Sequence, residues 1–407
     1  MSVSVANKKR KSEAQDGTIE PCPKVALLIE TSRGYGRGML RGIVRYARLH
    51  GPWSFYITPG DFEQALPKMK LWGGSGIIAR VETLEMAKAI VAAQIPAVLV
   101  GADQRVAAQV PQLAGMSEVW ADSEGAARVA AEHLLERGFE YFAYAGVPDR
   151  IWSQRRGDAF CAAIRGSGFE PYVYQPPRSK KDREWEGEQA ILADWIKKLP
   201  KPVGLMACND DRGRGVLEAC RLAGVHVPEE VAVIGVDDDE LFCELADPPL
   251  SSVALNAEHG GYRTAQILDQ LMKHKILTPQ RLIVEPTHVV TRRSTDVKAY
   301  NGREVGAALG FIHRNRARNI TVNDVAEATG LSRRNLEVKF RKAVGKTIRE
   351  EIQRIRLDHA KRMLRETDLP ISQIADASGY NSPSYLTQVF RKEIGVTPAK
   401  YRGQVRI

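Results

Sequence analysis

Short apolar runs alternate with longer stretches of helical character along the first 290 residues. The runs include residues 24–30, 76–79, 97–100 and 231–236, and segments of helical pattern, such as residues 39–50 and 84–93, separate them. Continuous apolar runs of this length, separated by helices, are typical of parallel strands that are buried on both faces. The pattern therefore predicts an α/β domain in which helices cover parallel sheets.

The alternation passes through two similar halves, which predicts two lobes with a cleft between them. We place the boundary between the lobes near Phe139, and we expect a closing strand pair within residues 281–290. Residues 31–38 are rich in glycine and are interpreted as a turn before a helix over residues 39–50.

Two polar segments delimit the domains. Residues 1–23 contain a basic run and two prolines and are interpreted as a disordered tail, and residues 292–302 are interpreted as a linker. These assignments leave a two-lobed domain over residues 24–291 and a further domain over residues 303–407.

The C-terminal segment contains one pattern twice. Gly330 and Gly379 are 49 residues apart, Leu336 and Leu386 are 50 residues apart, and similar small and apolar positions surround them. Such a period marks a duplicated structural unit. In each copy a short helix, a glycine suited to the left-handed conformation, a serine N-cap and a second helix follow one another. This order predicts an all-α domain with two helix-turn-helix motifs.

The second helix of each motif has one apolar face, which contains Leu336 and Phe340 or the equivalent Leu386 and Phe390. The opposite face is free to enter a DNA major groove, where Arg suits guanine, Gln suits adenine and Glu suits cytosine. The candidate DNA-binding residues on these free faces are Arg333, Arg334, Glu337, Val338 and Arg341 in the first copy and Ser384, Thr387, Gln388 and Arg391 in the second.

The positive charge of the protein is concentrated in the same segment. The formal net charge of the chain is +10, and residues 303–407 contain 21 Lys and Arg against 11 Asp and Glu, so they account for all of it. A confined excess of this kind is the footprint expected of phosphate contacts. We therefore predict double-stranded DNA as a partner, bound by the two motifs at tandem half-sites.

Composition argues against several other classes of protein. The chain has 407 residues, of which 43% are hydrophobic and 27% charged, as in soluble proteins of two or three domains. It contains no apolar run of about 18 residues and no signal-peptide pattern, so we expect a cytoplasmic protein without a membrane span. Its five cysteines lack C-x-x-C spacing, which predicts free thiols and no metal site. No nucleophile–base pair stands out, so we expect neither catalysis nor a cofactor.

In open α/β sheets, ligands bind at the carboxyl ends of the strands. Several loops at these predicted positions are polar. Residues 208–211 and 237–239 contain more Asn and Asp than helix capping requires. With a bidentate arginine and aromatic stacking faces, these loops offer what a polyhydroxylated ligand needs. The candidate ligand-binding residues are Arg33, Tyr35, Asp122, Trp152, Arg156, Asn209, Asp210 and Asp237.

The C-terminal repeat ends in specific residues. Gly345 and Thr347 close the first copy, and a Gly-Val-Thr-Pro run at 395–398, followed by Tyr401 and Arg402, closes the second. These features resemble the DNA-binding domain of AraC-type transcription activators over about the last hundred residues. The resemblance implies recognition helices over residues 332–342 and 382–392. It implies base contacts near Arg334, Glu337, Val338, Ser384 and Gln388.

A second resemblance covers about residues 24–290. Its motifs are Asp122-x-x-Gly125, Arg156-x-x-x-Phe160, Asn209-Asp210 and Val233-Ile234-Gly235-x-Asp237. As a set they are similar to the two-lobed effector domains of LacI-type repressors and periplasmic sugar-binding proteins. The resemblance implies that Arg156, Asn209 and Asp237 hold the hydroxyl groups of a sugar. Such a domain followed by an AraC-type domain is similar to bacterial xylose-operon regulators, which implies a homodimer that responds to D-xylose or a related pentose.

Other functions compete with this interpretation. Glycines 34, 36 and 38 follow a strand as in a dinucleotide-binding loop, with Asp61 as the ribose acid, but that fingerprint needs its third glycine one residue later. A transport-type sugar-binding protein would share the lobes but needs a signal peptide and no DNA-binding domain. A regulator of a different sugar, or of a sugar phosphate, would share every feature above.

Overall fold

The computed structural model describes residues 22–57, 66–148, 150–177, 185–275, 278–296 and 303–405. Asp61 and the predicted tail, except for its last two residues, lie outside these ranges. In the part of the chain that is described, no helix is long and apolar enough to cross a membrane.

The first lobe is built on a six-stranded parallel sheet. Its strands are β1 (Lys24–Leu28), β2 (Ser54–Ile57), β3 (Gly76–Ala79), β4 (Ala97–Val100), β5 (Ser117–Ala121) and β11 (Arg281–Val284). Their order across the sheet is β11-β5-β4-β3-β1-β2. The helices of this lobe are α1 (Gly34–His50), α2 (Met69–Trp72), α3 (Leu84–Ala93), α4 (Gln104–Gln109) and α10 (Ala257–Met272).

The second lobe repeats this layout. Its strands are β6 (Tyr141–Ala145), β7 (Tyr172–Val173), β8 (Val203–Ala207), β9 (Val231–Val236), β10 (Ser251–Leu255) and β12 (Pro286–Val290). Their order is β12-β10-β9-β8-β6-β7, and β12 is antiparallel to its neighbour. The helices of this lobe are α5 (Ser123–Leu135), α6 (Ile151–Gly166), α7 (Trp185–Lys198), α8 (Asp210–Ala223) and α9 (Glu240–Leu245). Every residue of β3, β4, β8 and β9 is buried, as the continuous apolar runs predict, and the α/β architecture is confirmed.

The boundary between the lobes differs from the one predicted near Phe139. Ala126 and Leu134 of α5 share a core with Phe142 of β6, so α5 belongs to the second lobe. The chain first crosses between the lobes at Asp122. A helix between two sheets has no apolar signature that tells which sheet it covers, so the predicted boundary lies one element too late in the chain.

The predicted closing strand pair is also wrong. β11 lies at the edge of the first sheet and β12 at the edge of the second, so the two strands do not pair with each other. The chain crosses between them at Glu285, whose carbonyl accepts from the N–H of Asn256 at another crossing.

The glycine-rich segment is the beginning of α1, which starts at Gly34, and is not a turn before it. A Cβ atom on Gly38 would lie 2.8 Å from the Cβ of Ala257, and one on Gly42 would lie 1.9 Å from the carbonyl oxygen of Glu258. Both partners belong to α10. The glycines thus allow close contact between α1 and α10. They do not form a loop after β1, so the dinucleotide-binding alternative is no longer supported.

The predicted linker is shorter than residues 292–302. Ser294 is fully buried; its hydroxyl donates to the carbonyl of Val233 over 2.6 Å and accepts from the N–H of Ser251 over 2.8 Å. Residues 292–296 therefore pack on the second lobe, where the Ser294 hydroxyl takes the place of water as the partner of backbone groups in β9 and β10. The remainder of the predicted linker lies outside the described residues.

Seven helices follow in the described part of the chain after residue 302. They are α11 (Arg303–Arg314), α12 (Val322–Thr329), α13 (Arg333–Val344), α14 (Ile348–Glu366), α15 (Ile371–Ala377), α16 (Pro383–Ile394) and α17 (Pro398–Val405). The first half of α14 shares one core with α11 to α13, and its second half shares another with α15 to α17. Ser332 and Ser382 cap α13 and α16, and Gly330 and Gly379 have φ values of 69° and 71°. Both predicted helix-turn-helix motifs are confirmed.

Candidate functional site

A cavity of about 80 Å³ lies between the lobes, at the carboxyl ends of the parallel strands. A buried water needs about 10–15 Å³ on this measure, so the cavity has room for several waters or one small solute. Five arginines and four carboxylates line it, namely Arg33, Arg80, Arg150, Arg155 and Arg156 with Glu30, Glu82, Asp103 and Asp237.

The predicted pair of Arg156 and Asp237 meets at this cavity. Arg156 is 3% exposed; its Nη2 donates to Oδ1 of Asp237 over 3.2 Å, and its Nη1 donates to the carbonyl of Cys208 over 2.5 Å. Burial raises the pKa of the Asp237 carboxyl, and Arg156 opposes this rise. Asp237 has a φ of 105°, an unfavourable value for a residue with a side chain and one that recurs at functional sites.

Ion pairs that the sequence analysis did not predict also line the cavity. Arg80 Nη1 donates to Glu30 Oε1 over 2.5 Å, and its Nε lies 3.0 Å from Glu82 Oε1. Arg150 Nη1 donates to Glu82 Oε2 over 2.9 Å. Burial raises the pKa of Glu30, and Arg80 opposes this rise. Glu30 and Arg80 follow the carboxyl ends of β1 and β3. This position in the sequence is the feature from which their place at the cavity could have been predicted.

Several of these bonds join the two lobes. Arg150 belongs to the second lobe and Glu82 to the first, and Arg33 of the first lobe lies 3.3 Å from Asp211 of the second. Asp239 of the second lobe accepts from Arg37 and from the N–H of Gly34, each over 2.6 Å. The structure is therefore one in which the lobes are held together across the cavity.

Aromatic side chains form part of the cavity wall, as predicted for Tyr35 and Trp152. Trp120 lies there as well. The guanidinium of Arg156 stands 5.3 Å from the Trp152 ring, and that of Arg155 stands 5.3 Å from the Trp120 ring. Trp152 Nε1 and Arg156 Nε are buried without a hydrogen-bond partner among the described residues. These N–H groups are available to acceptor atoms of a ligand.

Two predicted ligand-binding residues do not line the cavity. Asp122 caps α5 by accepting from the N–H of Gly125 over 2.8 Å. Asp210 is 2% exposed, and its carboxylate accepts from the Ser252 hydroxyl over 2.5 Å and from the N–H of Asp239 over 2.7 Å. Burial raises the pKa of Asp210 well above its usual range. Through these two hydrogen bonds the Asp210 carboxyl stabilises the loop that contains Asp237.

Asn209 and Arg33, by contrast, do line the cavity. The side-chain oxygen of Asn209 also caps α8 by accepting from the N–H of Arg212 over 2.9 Å. The helix-capping function and the position at the cavity thus coexist in one residue.

The predicted recognition helix of the first motif, α13, buries Leu336 and Phe340 and leaves its opposite face exposed. Arg333 Nε donates to Glu337 Oε1 over 3.0 Å, so these two candidate residues engage each other. Arg334 and Val338 are exposed beside them. Arg341 is exposed at the last turn.

The predicted recognition helix of the second motif, α16, buries Leu386, Val389 and Phe390. The Thr387 hydroxyl donates to the carbonyl of Pro383 over 2.8 Å, which ties this side chain to its own helix. The candidate residues left exposed on this helix are Ser384, Gln388 and Arg391.

Family models match three parts of the chain. A XylR N-terminal domain matches residues 24–118, a periplasmic binding protein-like domain matches residues 131–295, and a helix-turn-helix domain matches residues 325–404. Together they cover both lobes and the two helix-turn-helix motifs.

Curated relatives match over nearly the full length. The chain is 32% identical over 383 residues to the xylose operon regulatory protein of Escherichia coli, which covers 93% of this chain and 96% of the relative. It is 30% identical to the xylose operon regulatory protein of Haemophilus influenzae, over 93% of this chain and 98% of that protein. The solved structure of the xylose-binding transcription activator xylR superposes with a TM-score of 0.78 at 31% identity, over 94% of this chain and 98% of that one. The chain therefore belongs to the family of xylose operon regulatory proteins and is a sugar-responsive transcription regulator.

Proposed function

We propose that D-xylose, or a closely related pentose, binds in the cavity between the lobes and controls promoter binding by the C-terminal domain. The observation that carries this proposal is the polar cavity itself, whose ion pairs bridge the lobes. The carboxylates of Asp237 and Glu30 and the amide of Asn209 offer acceptors for sugar hydroxyls, while Arg156 and Trp152 offer donors. The names of the full-length relatives support xylose as the sugar.

The ligand acts by favouring the conformation in which the lobes are closed. A ligand shifts a two-state equilibrium by the difference between its affinities for the two states, and a few kcal/mol suffice to change occupancy. In a homodimer, closure alters how two C-terminal domains are presented to tandem half-sites, and the protein acts as an activator. We place this activity in the cytoplasm, where promoter DNA is found.

We infer that the cavity binds its ligand without transforming it. The carboxylates that would act as acid or base, Asp237 and Glu30, are each held by an arginine. Each arginine engages a carboxylate oxygen that a general acid or base would present to the sugar, and the full-length relatives are named as regulatory proteins.

A sugar phosphate is the second candidate ligand. Arginines outnumber carboxylates by five to four in the lining, and Arg155 contacts the Trp120 ring. An exposed guanidinium at the cavity would suit a phosphoryl group.

The test is a calorimetric titration of the full-length protein with D-xylose, other pentoses and hexoses, and their phosphates. We expect D-xylose to bind, and Asp237→Asn to abolish the binding because an amide cannot replace the carboxylate beside Arg156. The matched control is Glu170→Gln, which removes an exposed carboxylate paired with Arg165 in the same lobe. Binding only by phosphorylated sugars would select the second candidate.

Promoter binding is measured in parallel by gel retardation with and without the sugar. Asp237→Asn should retain affinity for DNA and lose its response to sugar. Binding of sugar without any retardation of DNA would contradict regulation and leave a sugar-binding protein.

A further inference from the structure

The middle of the first recognition surface is apolar. Val338 of α13 is 64% exposed. It stands two positions from each of the buried residues Leu336 and Phe340, which is about 200° around the helix axis. Val338 therefore projects from the face opposite to the core, one turn after Arg334.

The side chain of Val338 contributes little to the stability of the folded protein, because most of it is exposed. An exposed β-branched residue is a poorer helix former than alanine. In the described part of the C-terminal domain, the exposed large apolar side chains are Val338, at 64%, and Tyr385, at 44%, and each lies on a predicted recognition helix. Because α13 and α16 are the helices that the sequence predicts to enter a DNA major groove, Val338 lies where a base edge would be met.

The charges around Val338 indicate that the molecule this surface contacts is DNA. Residues 303–407 carry all the net positive charge of the chain, and Arg334 and Arg341 are exposed one turn before and one turn after Val338. Phosphates and guanine edges suit these arginines. An isopropyl group cannot donate or accept a hydrogen bond, and the apolar group on a base edge in the major groove is the 5-methyl of thymine.

We propose that Val338 contacts the 5-methyl group of a thymine in the half-site read by α13, which sets sequence preference at that base pair. This inference rests on the proposed DNA-binding function. The equivalent position of α16, 50 residues later, is Gln388, which is exposed and has an amide suited to adenine. The two half-sites therefore differ at this position, and the operator half-sites are not exact repeats.

The experiment removes single methyl groups from the operator. The operator is first selected from random duplexes by the full-length protein in the presence of D-xylose. Each thymine of the first half-site is then replaced by deoxyuridine, which lacks only the methyl. For one thymine, next to the base pair whose preference is lost in Arg334→Ala, we expect affinity to fall about fourfold, the value of one buried methyl group.

Val338→Ala should bind thymine and uracil operators equally at that position. The matched control is Lys339→Ala, because Lys339 is the adjacent residue and its Nζ is occupied 3.0 Å from Glu304; it should retain the fourfold difference. A half-site without a uracil-sensitive thymine, or a Val338→Ala variant that keeps the difference, overturns this inference and leaves the proposed function intact. If no sequence is selected at all, the proposed function fails with it.

Discussion

Arg150 at the start of α6 donates to Glu82 of the first lobe over 2.9 Å, across the cavity that we propose as the sugar site. Glu82 also lies 3.0 Å from Arg80, which is bonded to Glu30. One carboxylate thus connects a residue of the second lobe to the cavity wall of the first. The closure of the lobes and the shape of the cavity are therefore linked through Glu82.

We predict that Arg150→Gln weakens sugar binding by destabilising the closed conformation. Both side chains are more than a third exposed, so solvent screening limits the pair to about 1 kcal/mol or less, up to about fivefold in Kd. Isothermal calorimetry with D-xylose measures the change. Arg165→Gln is the control, because it breaks the exposed ion pair with Glu170 within the second lobe. A wild-type affinity in Arg150→Gln would show that this bridge does not contribute to closure.

We predict that buried histidines, His133 above all, make a contribution to stability that is lost between pH 7 and pH 5. Burial, and then Arg137, lower the pKa of His133 from 6.5 to about 3. Its Nδ1 accepts from Arg137 over 3.1 Å, and its Nε2 lies 2.8 Å from the Thr295 hydroxyl. The neutral ring satisfies both contacts, and the imidazolium would repel Arg137.

The sign follows from proton linkage. Between pH 6.5 and about 3 the unfolded chain binds a proton at His133 that the folded protein does not bind. The free energy of unfolding is therefore complete above pH 6.5 and decreases as the pH falls, by about 2 kcal/mol for this residue at pH 5. Burial also lowers the pKa of His359 to about 4, so this residue acts in the same direction.

Urea denaturation at pH 7 and pH 5 measures this dependence. His133→Gln should reduce the difference between the two pH values, and His259→Gln, which changes an exposed residue of α10, should leave it unchanged. If the difference is the same in His133→Gln as in the unchanged protein, the neutral buried state of His133 is refuted. Glu30, Asp210 and Asp237, whose pKa values burial raises, change stability in the opposite direction in both proteins.

We predict that the two halves of the C-terminal domain can be disabled separately. Phe390 is fully buried beside Leu386, and its ring centroid is 5.3 Å from that of Tyr401. Phe390→Ala should cost about 3–5 kcal/mol in a core that contains no residue of α13. Footprinting should then show one protected half-site in place of two, with sugar affinity unchanged.

The matched variant is Phe340→Ala, which removes a buried ring from the core of the first motif. In this variant the other half-site should lose its protection in the footprint. Loss of both half-sites in either variant would mean that the motifs do not act separately. Loss of sugar binding would mean that the damage reaches the lobes.

Much of the fold could be predicted because its signals are local. Runs such as β9 are apolar at every position, so their burial on both faces is legible in the sequence. The C-terminal repeat was likewise recognisable from its spacing. The points at which the chain crosses between the lobes could not be predicted. The cores of both lobes are apolar, and the residues of α5 do not show which of the two sheets this helix covers.

The site was predicted only in part, for a related reason. A strand end indicates that Asp237 and Asn209 approach the cavity, but not which carboxylate of a cluster faces it. Asp210 is held below the loop by Ser252, a partner 42 residues away. Glu30 and Arg80 become a pair only when β1 and β3 are neighbours. Such choices depend on contacts between distant segments.

We predict that Arg334 reads a base and that Arg333 does not. Arg334 is exposed on α13, whereas Arg333 is bonded to Glu337 over 3.0 Å and to Asn323 over 3.3 Å. Arg334→Ala should cost about 1–3 kcal/mol of operator binding and relax the preference at one base pair. Arg333→Ala should weaken all duplexes alike, because a residue already engaged on the protein contributes only charge.

Titration of each variant against the operator and its single-base variants separates these effects. Arg165→Ala is the control, since it removes one positive charge from an exposed site in the second lobe, outside the C-terminal domain. If Arg334→Ala retains both affinity and base preference, α13 is not the helix that reads the first half-site. If Arg333→Ala relaxes a base preference, its ion pair with Glu337 opens on DNA, and Glu337 is then free to accept from cytosine.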